Sequence, residues 1–279
     1  MAVIGNIAGA VMRAILVWVL IATPSLLLPN SSGDESQLIV FFAVLAAFFT
    51  FVEYYSNFPS IIEFRFAAPF NRLRYITIFA IVFLLSLACR GKTDPTSLTL
   101  AVENFGRMVG NTIDVPYSPV RLVVLMLHQD ASNTLVDSVR TAAGLSYSLS
   151  LIALVTFILM VRVLNWPSRS GAFNVWVNLP LFDPTGGGDV LERLKRDANV
   201  NIVAGFLLPF LIPAVVKLAT DLVDTVSLED PQTLIWTMAA WAFLPASMIM
   251  RGIAMGRIAD MIQEKRRRAY AQSDATQAA

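Results

Sequence analysis

The sequence predicts an all-α, polytopic membrane protein: about six transmembrane helices, joined by loops that carry interfacial amphipathic helices. Three observations predict it. Apolar residues make up 56% of the chain and charged residues 15%, with a mean hydropathy of +0.63, which is more apolar surface than a globular domain of 279 residues can bury. Six segments approach the roughly 20 helical residues that cross a hydrocarbon core about 30 Å thick. The lysines and arginines sort between alternate loops.

The first apolar segment, 11–28, has no strongly basic leader and runs into Pro24 and Pro29 without a small-x-small cleavage pattern, so it reads as a retained span. The second covers 38–55. The third, 75–89, lies between Arg74 and Arg90 and reaches full thickness only if both arginines snorkel or the bilayer thins. The fourth, fifth and sixth cover 145–164, 200–218 and 233–250. Residues 1–270 form a single transmembrane domain, and the small, polar stretch 271–279 reads as a disordered cytoplasmic tail.

With the N-terminus inside, the inner segments hold 15 of the 21 Lys and Arg residues, from Arg13 through Arg65, Arg72 and Arg74 to the run Lys265-Arg266-Arg267-Arg268. The outer segments hold Arg90, Lys92, Arg107, Arg121, Arg140 and Lys217. Positive-inside sorting therefore predicts both termini in the cytoplasm, and short inner loops fit a bacterial inner membrane.

The outer loop, 90–144, is the longest. Within it, 97–109 places Leu98, Val102, Phe105 and Val109 on one helical face, with Glu103 and Arg107 four apart, which predicts an interfacial amphipathic helix. The apolar stretch 120–127 is too short to span, so it is expected to lie flat or dip into the membrane. After Asp130, Ser132 or Asn133 is a plausible N-cap, and the fourth helix is expected to extend past the bilayer. His128 is the only histidine. Imidazole ligates metals and titrates near neutrality, so it is a candidate ligand, although an interfacial polar residue at a helix end is the simpler reading. The single cysteine, Cys89, reads as a packing residue.

The inner loops echo one another. Asn57-Phe58-Pro59-Ser60 follows the second span and Asn165-Trp166-Pro167-Ser168 the fourth, each with a later Pro and Phe-Asn or Phe-Asp pair. Aromatic-proline exits recur at membrane interfaces without duplication. The strip IIEFRFAAPFNRLRY, with Phe64, Arg65, Phe66, Phe70, Arg72 and Arg74, is expected to meet anionic lipid or a partner protein, as are Trp166 and Trp176. The sequence Asp183-Pro184-Thr185-Gly186-Gly187-Gly188-Asp189 lacks the Lys and Ser/Thr of a phosphate loop. It reads instead as a turn with Asp189 capping a helix that feeds the fifth span.

In the fifth span Pro209 and Pro213 remove two backbone donors on one face, so a kink or local unwinding is expected, with Lys217 and Asp221 following four apart. Broken helices of this kind build transport sites. No Ser–His pair, intramembrane Asp pair or H-E-x-x-H motif supports an enzyme, the sequence requires no cofactor, and nothing points to nucleic acid. Two functional classes remain. The first is a non-catalytic integral membrane subunit, scaffold or assembly factor of a larger complex, contacting membrane lipids and other membrane proteins. The second is a small transporter or channel built around the double-proline helix.

Overall fold

A computed structural model describes residues 2–28, 33–58, 60–167, 174–182, 187–220 and 227–277. About 80% of the chain is helical. Among the described residues there are nine helices and no strand: α1 (Ala2–Leu27), α2 (Gly33–Tyr55), α3 (Phe70–Arg90), α4 (Ser97–Ile113), α5 (Pro119–Leu125), α6 (Asn133–Val163), α7 (Val175–Asn178), α8 (Val190–Thr220) and α9 (Pro231–Gln277). Six of them, α1, α2, α3, α6, α8 and α9, are long and apolar enough to cross a membrane. They alternate in direction. The turn between α2 and α3 and the segment between α6 and α8 share one end, here the arginine-rich face, while α4 and α5 cap the other.

Several helices exceed the apolar segments that announce them. The third span is a full 21-residue helix, because Asn71, Arg72 and Arg74 are helical and Phe70 anchors its first turn in the core. Counting apolar residues alone underestimates it, since Arg74 does not need to snorkel when it faces a pocket. Helix α6 starts at Asn133 with the Ser132 hydroxyl accepting from the Leu135 amide, so it begins where its capping residues imply and runs for 31 residues. Helix α9 continues from the bilayer to Gln277, through residues that the sequence reading assigns to the tail. At 1.5 Å per residue its 47 residues span about 70 Å, more than twice the hydrocarbon thickness.

Two clusters make the core. One, toward α4 and α5, joins Ile81, Leu85, Val120, Val139, Ala143, Ile235 and Met238. The other, at the arginine-rich face, joins Phe64, Phe70, Phe157, Trp166, Leu179, Leu194, Met250 and Met255. Helix α5 is short as expected and packs into the bundle: Ser118 caps it, Pro119 occupies its first turn, and Val120 and Val123 are wholly buried. Helix α4 has the expected Glu103–Arg107 pair, at 2.7 Å. Its packed face is a stripe of Thr99, Gly106 and Gly110 against α6, and Leu98, Phe105 and Met108 point outward. The crossing is so close that a Cβ on Gly144 would come within 2.5 Å of the Gly110 Cα.

Helices α8 and α9 pack with similar closeness. A Cβ on Gly205 would meet the Pro245 carbonyl oxygen at 2.6 Å, and one on Gly252 would meet the Ala198 carbonyl oxygen at the same distance. Beyond the bilayer the pair stays joined by Lys195 donating to Gln263 and by Arg266 gripping Asp189 at 2.9 and 3.1 Å. Asp189 also accepts from the Leu191 amide, the capping role its position predicts. Helix α2 packs against α1 and no other described helix, with Phe41, Phe42, Phe48 and Phe49 facing outward.

Candidate functional site

At the arginine-rich face, α1, the end of α2, the turn 56–69, the start of α3 and the middle of α9 enclose a cavity of about 860 Å³. Five guanidinium groups line it, those of Arg13, Arg65, Arg72, Arg74 and Arg251, together with one carboxylate, Glu63. Tyr54, Tyr75 and Asn71 add polar atoms, and Leu16, Val17, Ile76, Ile78 and Phe243 make an apolar wall. Its volume falls within the roughly 300–1,000 Å³ typical of ligand sites.

The turn that carries half of these residues is shaped by an internal carboxylate. Glu53, in the last turns of α2, accepts from the amides of Ser60, Ile61 and Ile62 at 2.6, 2.7 and 3.0 Å, and its second oxygen accepts from the Ser60 hydroxyl at 2.8 Å. Arg65 reaches back across the same turn and donates to the carbonyls of Glu53, Tyr54 and Ser56, three acceptors that the end of α2 leaves free. Burial pulls the Arg65 guanidinium below the ordinary arginine range, and the negative side of Tyr54 and Glu53 partly restores it. Phe64 takes a left-handed backbone conformation, with φ of 54°, which turns its ring inward.

A second loop clamps the first. The Phe64 amide donates to the Asn178 carbonyl and the Phe66 amide to the Asn178 side-chain oxygen, at 2.6 and 3.0 Å. The Trp166 indole N–H is shared between the carbonyls of Ala67 and Ala68. Phe64, Phe70, Phe157 and Trp166 stack around this junction with ring centroids 4.4–6.0 Å apart. Trp166 of the second echoing exit is therefore packed on residues 64–70 that follow the first, whereas its counterpart Phe58 is exposed.

The guanidiniums differ in what holds them. Arg251 meets Glu63 side-on at 2.5 and 2.7 Å, a two-pronged pair in which the carboxylate is 8% exposed. Arg13 lies over the Tyr54 ring at 4.5 Å and donates to the Gly9 carbonyl. Arg74 lies over the Phe70 ring and makes one long contact with the Asn71 oxygen, at 3.4 Å, while its Nε is buried with no hydrogen-bond partner in the protein. Among the described residues no carboxylate lies within ion-pair distance of Arg13, Arg72 or Arg74.

Of the residues singled out in the sequence, Arg65, Arg72 and Arg74 come together in this pocket, with Phe64 in its wall. The aromatic strip does not face lipid or a partner as a unit: Phe64, Phe70 and Trp166 are buried, and only Phe66 is exposed. The Trp176 side chain, and Asp221 altogether, lie outside the described residues. Far from the pocket, His128 is 68% exposed and sits 3.5 Å from Asp130. Among the described residues no group of three or more His, Cys, Asp or Glu side chains is placed to hold a metal ion.

The double-proline segment is not unwound. Helix α8 is unbroken through Pro209 and Pro213 to Lys217 in its last turn. Pro213 has no N–H to offer the Pro209 carbonyl four residues back, and the Trp241 indole N–H of α9 takes its place at 3.1 Å.

Sequence reading missed Arg13, Glu53, Tyr54, Glu63, Trp241 and Arg251. A usable signal existed for two of them. Glu63 is an acidic residue inside an arginine-rich strip, and Arg251 directly follows the sixth apolar segment, so each needed a counter-charge at the same depth. The chain matches no protein-family model, no curated protein and no solved structure.

Proposed function

We propose that this chain is a non-catalytic integral membrane component that holds an anionic amphiphile in its arginine pocket and works within a larger membrane assembly. The charge of the pocket carries this reading: five guanidiniums against one carboxylate, at the end of an apolar wall. Guanidinium forks bind and orient carboxylate and phosphate groups, but they neither give nor take a proton at physiological pH, so the chemistry they offer is recognition. Leu16 and Ile76, both exposed, continue the wall outward along α1 and α3, where an acyl or prenyl tail would lie.

Two other features favour an assembly. Helix α2 rests on α1 alone and turns four phenylalanines outward. The start of α8 and the outer part of α9 are joined by Lys195–Gln263 and Asp189–Arg266 and carry an exposed cationic run, Lys265 to Arg268, open to a partner. The sorting of cations supports placing this face, and both termini, in the cytoplasm of a bacterial inner membrane. The transporter alternative is the weaker reading, because Trp241 occupies the Pro209 carbonyl, one of the two that the prolines free in α8.

The test is native mass spectrometry of the tagged protein extracted with its surrounding lipid. An anionic amphiphile held by the wild-type chain and lost with Arg72→Gln, alongside co-eluting membrane proteins, is the expected result. A chain that emerges alone with neutral lipid would overturn the reading.

A further inference from the structure

The pocket's charge balance specifies more than an anion. Of the five guanidiniums that line it, Arg251 is neutralised by Glu63 and Arg65 is spent on three carbonyls that shape the turn. Arg13, Arg72 and Arg74 remain with no carboxylate within ion-pair distance among the described residues. Three guanidiniums on one cavity exceed what a single negative charge balances. A phosphodiester headgroup carries one negative charge, whereas a terminal phosphate carries about 1.5–2 near neutral pH, with three acceptor oxygens.

Resting on the reading of this cavity as an anionic-amphiphile site, we infer that its ligand carries a terminal phosphate, a monoester or diphosphate ester on an apolar tail. The phosphate sits among Arg13, Arg72 and Arg74, accepting from their guanidinium forks, and the tail follows Leu16 and Ile76 toward the bilayer. Exposed Arg72 is the group through which the headgroup enters, since Arg13 is pinned over Tyr54 and Arg74 over Phe70. Discrimination against diesters arises because a second ester substituent removes one charge and one acceptor, leaving one guanidinium unsatisfied.

Nanodiscs of neutral lipid, each holding the full chain and doped in turn with phosphatidic acid or phosphatidylglycerol, decide it when retained lipid is counted by native mass spectrometry. A third arm adds inorganic phosphate alone. Phosphatidic acid should be retained at least about tenfold over phosphatidylglycerol, the ratio that one additional charge-assisted hydrogen bond supplies. Arg72→Gln should collapse that preference toward parity. Because Arg72 is exposed, this variant keeps its fold, which an unchanged thermal melt checks; Arg74→Lys, which keeps the charge but loses the planar fork of donors, should reduce the preference in part. Equal retention of the two lipids would overturn the terminal-phosphate inference and leave the amphiphile reading standing. Retention of neither would overturn both. Inorganic phosphate holding as well as phosphatidic acid would remove the tail from the inference.

Discussion

Single side chains carry the unusual backbone of this molecule. Trp241 stands in for the amide that Pro213 lacks, so its role is defined by a donor and can be tested by supplying another. Trp241→Phe should destabilise the protein by about 1 kcal/mol in a detergent melt, the net worth of a hydrogen bond in such surroundings. In a Pro213→Ala background, where residue 213 regains its N–H, the same change should cost almost nothing. Equal losses in both backgrounds would mean that the indole acts by packing alone. The Glu63–Arg251 pair invites a parallel cycle. Arg251→Ala leaves a carboxylate buried and alone, at an expected cost of about 3–5 kcal/mol, while adding Glu63→Gln should return much of it. The need of Glu63 and Arg251 for counter-charges was legible in the sequence, but the pairings were not: a hydrogen bond from residue 241 to 209, or an ion pair from 251 to 63, depends on which helices become neighbours, and no local pattern encodes that.

Whole helices were read far better, because their signal is local. Apolar runs near 20 residues marked all six long helices, and Ser132 and Asp189 marked two of their starts. Lengths were underestimated wherever polar residues continue a helix into a pocket, as Arg72 and Arg74 do in α3, or past the bilayer, as in α9. The glycine crossings were not anticipated, since a glycine in an apolar run reads as spacing until its partner is known. Gly252→Val should separate α8 from α9, lowering stability by about 1–3 kcal/mol, because a Cβ there meets the Ala198 carbonyl at 2.6 Å. An unaltered melt would show that the crossing has room to shift. The same pair of helices is tied farther out by Asp189 and Arg266. Hydrogen bonds from Arg266 first, then from the Leu191 amide, hold the Asp189 carboxyl below the ordinary carboxylate range. A carboxyl whose folded pKa is depressed contributes fully above its unfolded value, about 3.9, and loses its contribution as pH falls through the folded value. Spin labels on the two ends should therefore report a constant separation from pH 8 to pH 5 and a widening only in stronger acid. Widening near pH 6 would assign the closure to some other group.

At the scale of the molecule, the arrangement of charge commits to an orientation. In a Cys89→Ser background, a membrane-impermeant maleimide should reach Asp130→Cys in intact cells and Arg268→Cys only in inverted vesicles, both sites being exposed. The opposite pattern would reverse the topology and place the arginine pocket outside. The site itself was half legible: Arg65, Arg72 and Arg74 were singled out as anion-meeting residues, but the sequence laid them on a surface strip, and burial of Phe64, Phe70 and Trp166 turned that strip into the floor of a cavity. The pocket also has a place in the life of the chain. Glu63 lies 188 residues ahead of Arg251, so on the ribosome the carboxylate emerges long before its counter-charge exists. Until the final span is inserted, the early helices hold an unbalanced acid at the membrane face, and the cavity lacks one wall. A chain cut short before residue 251 cannot form it. On the function proposed above, capture of the headgroup would therefore certify that synthesis and insertion have run to completion.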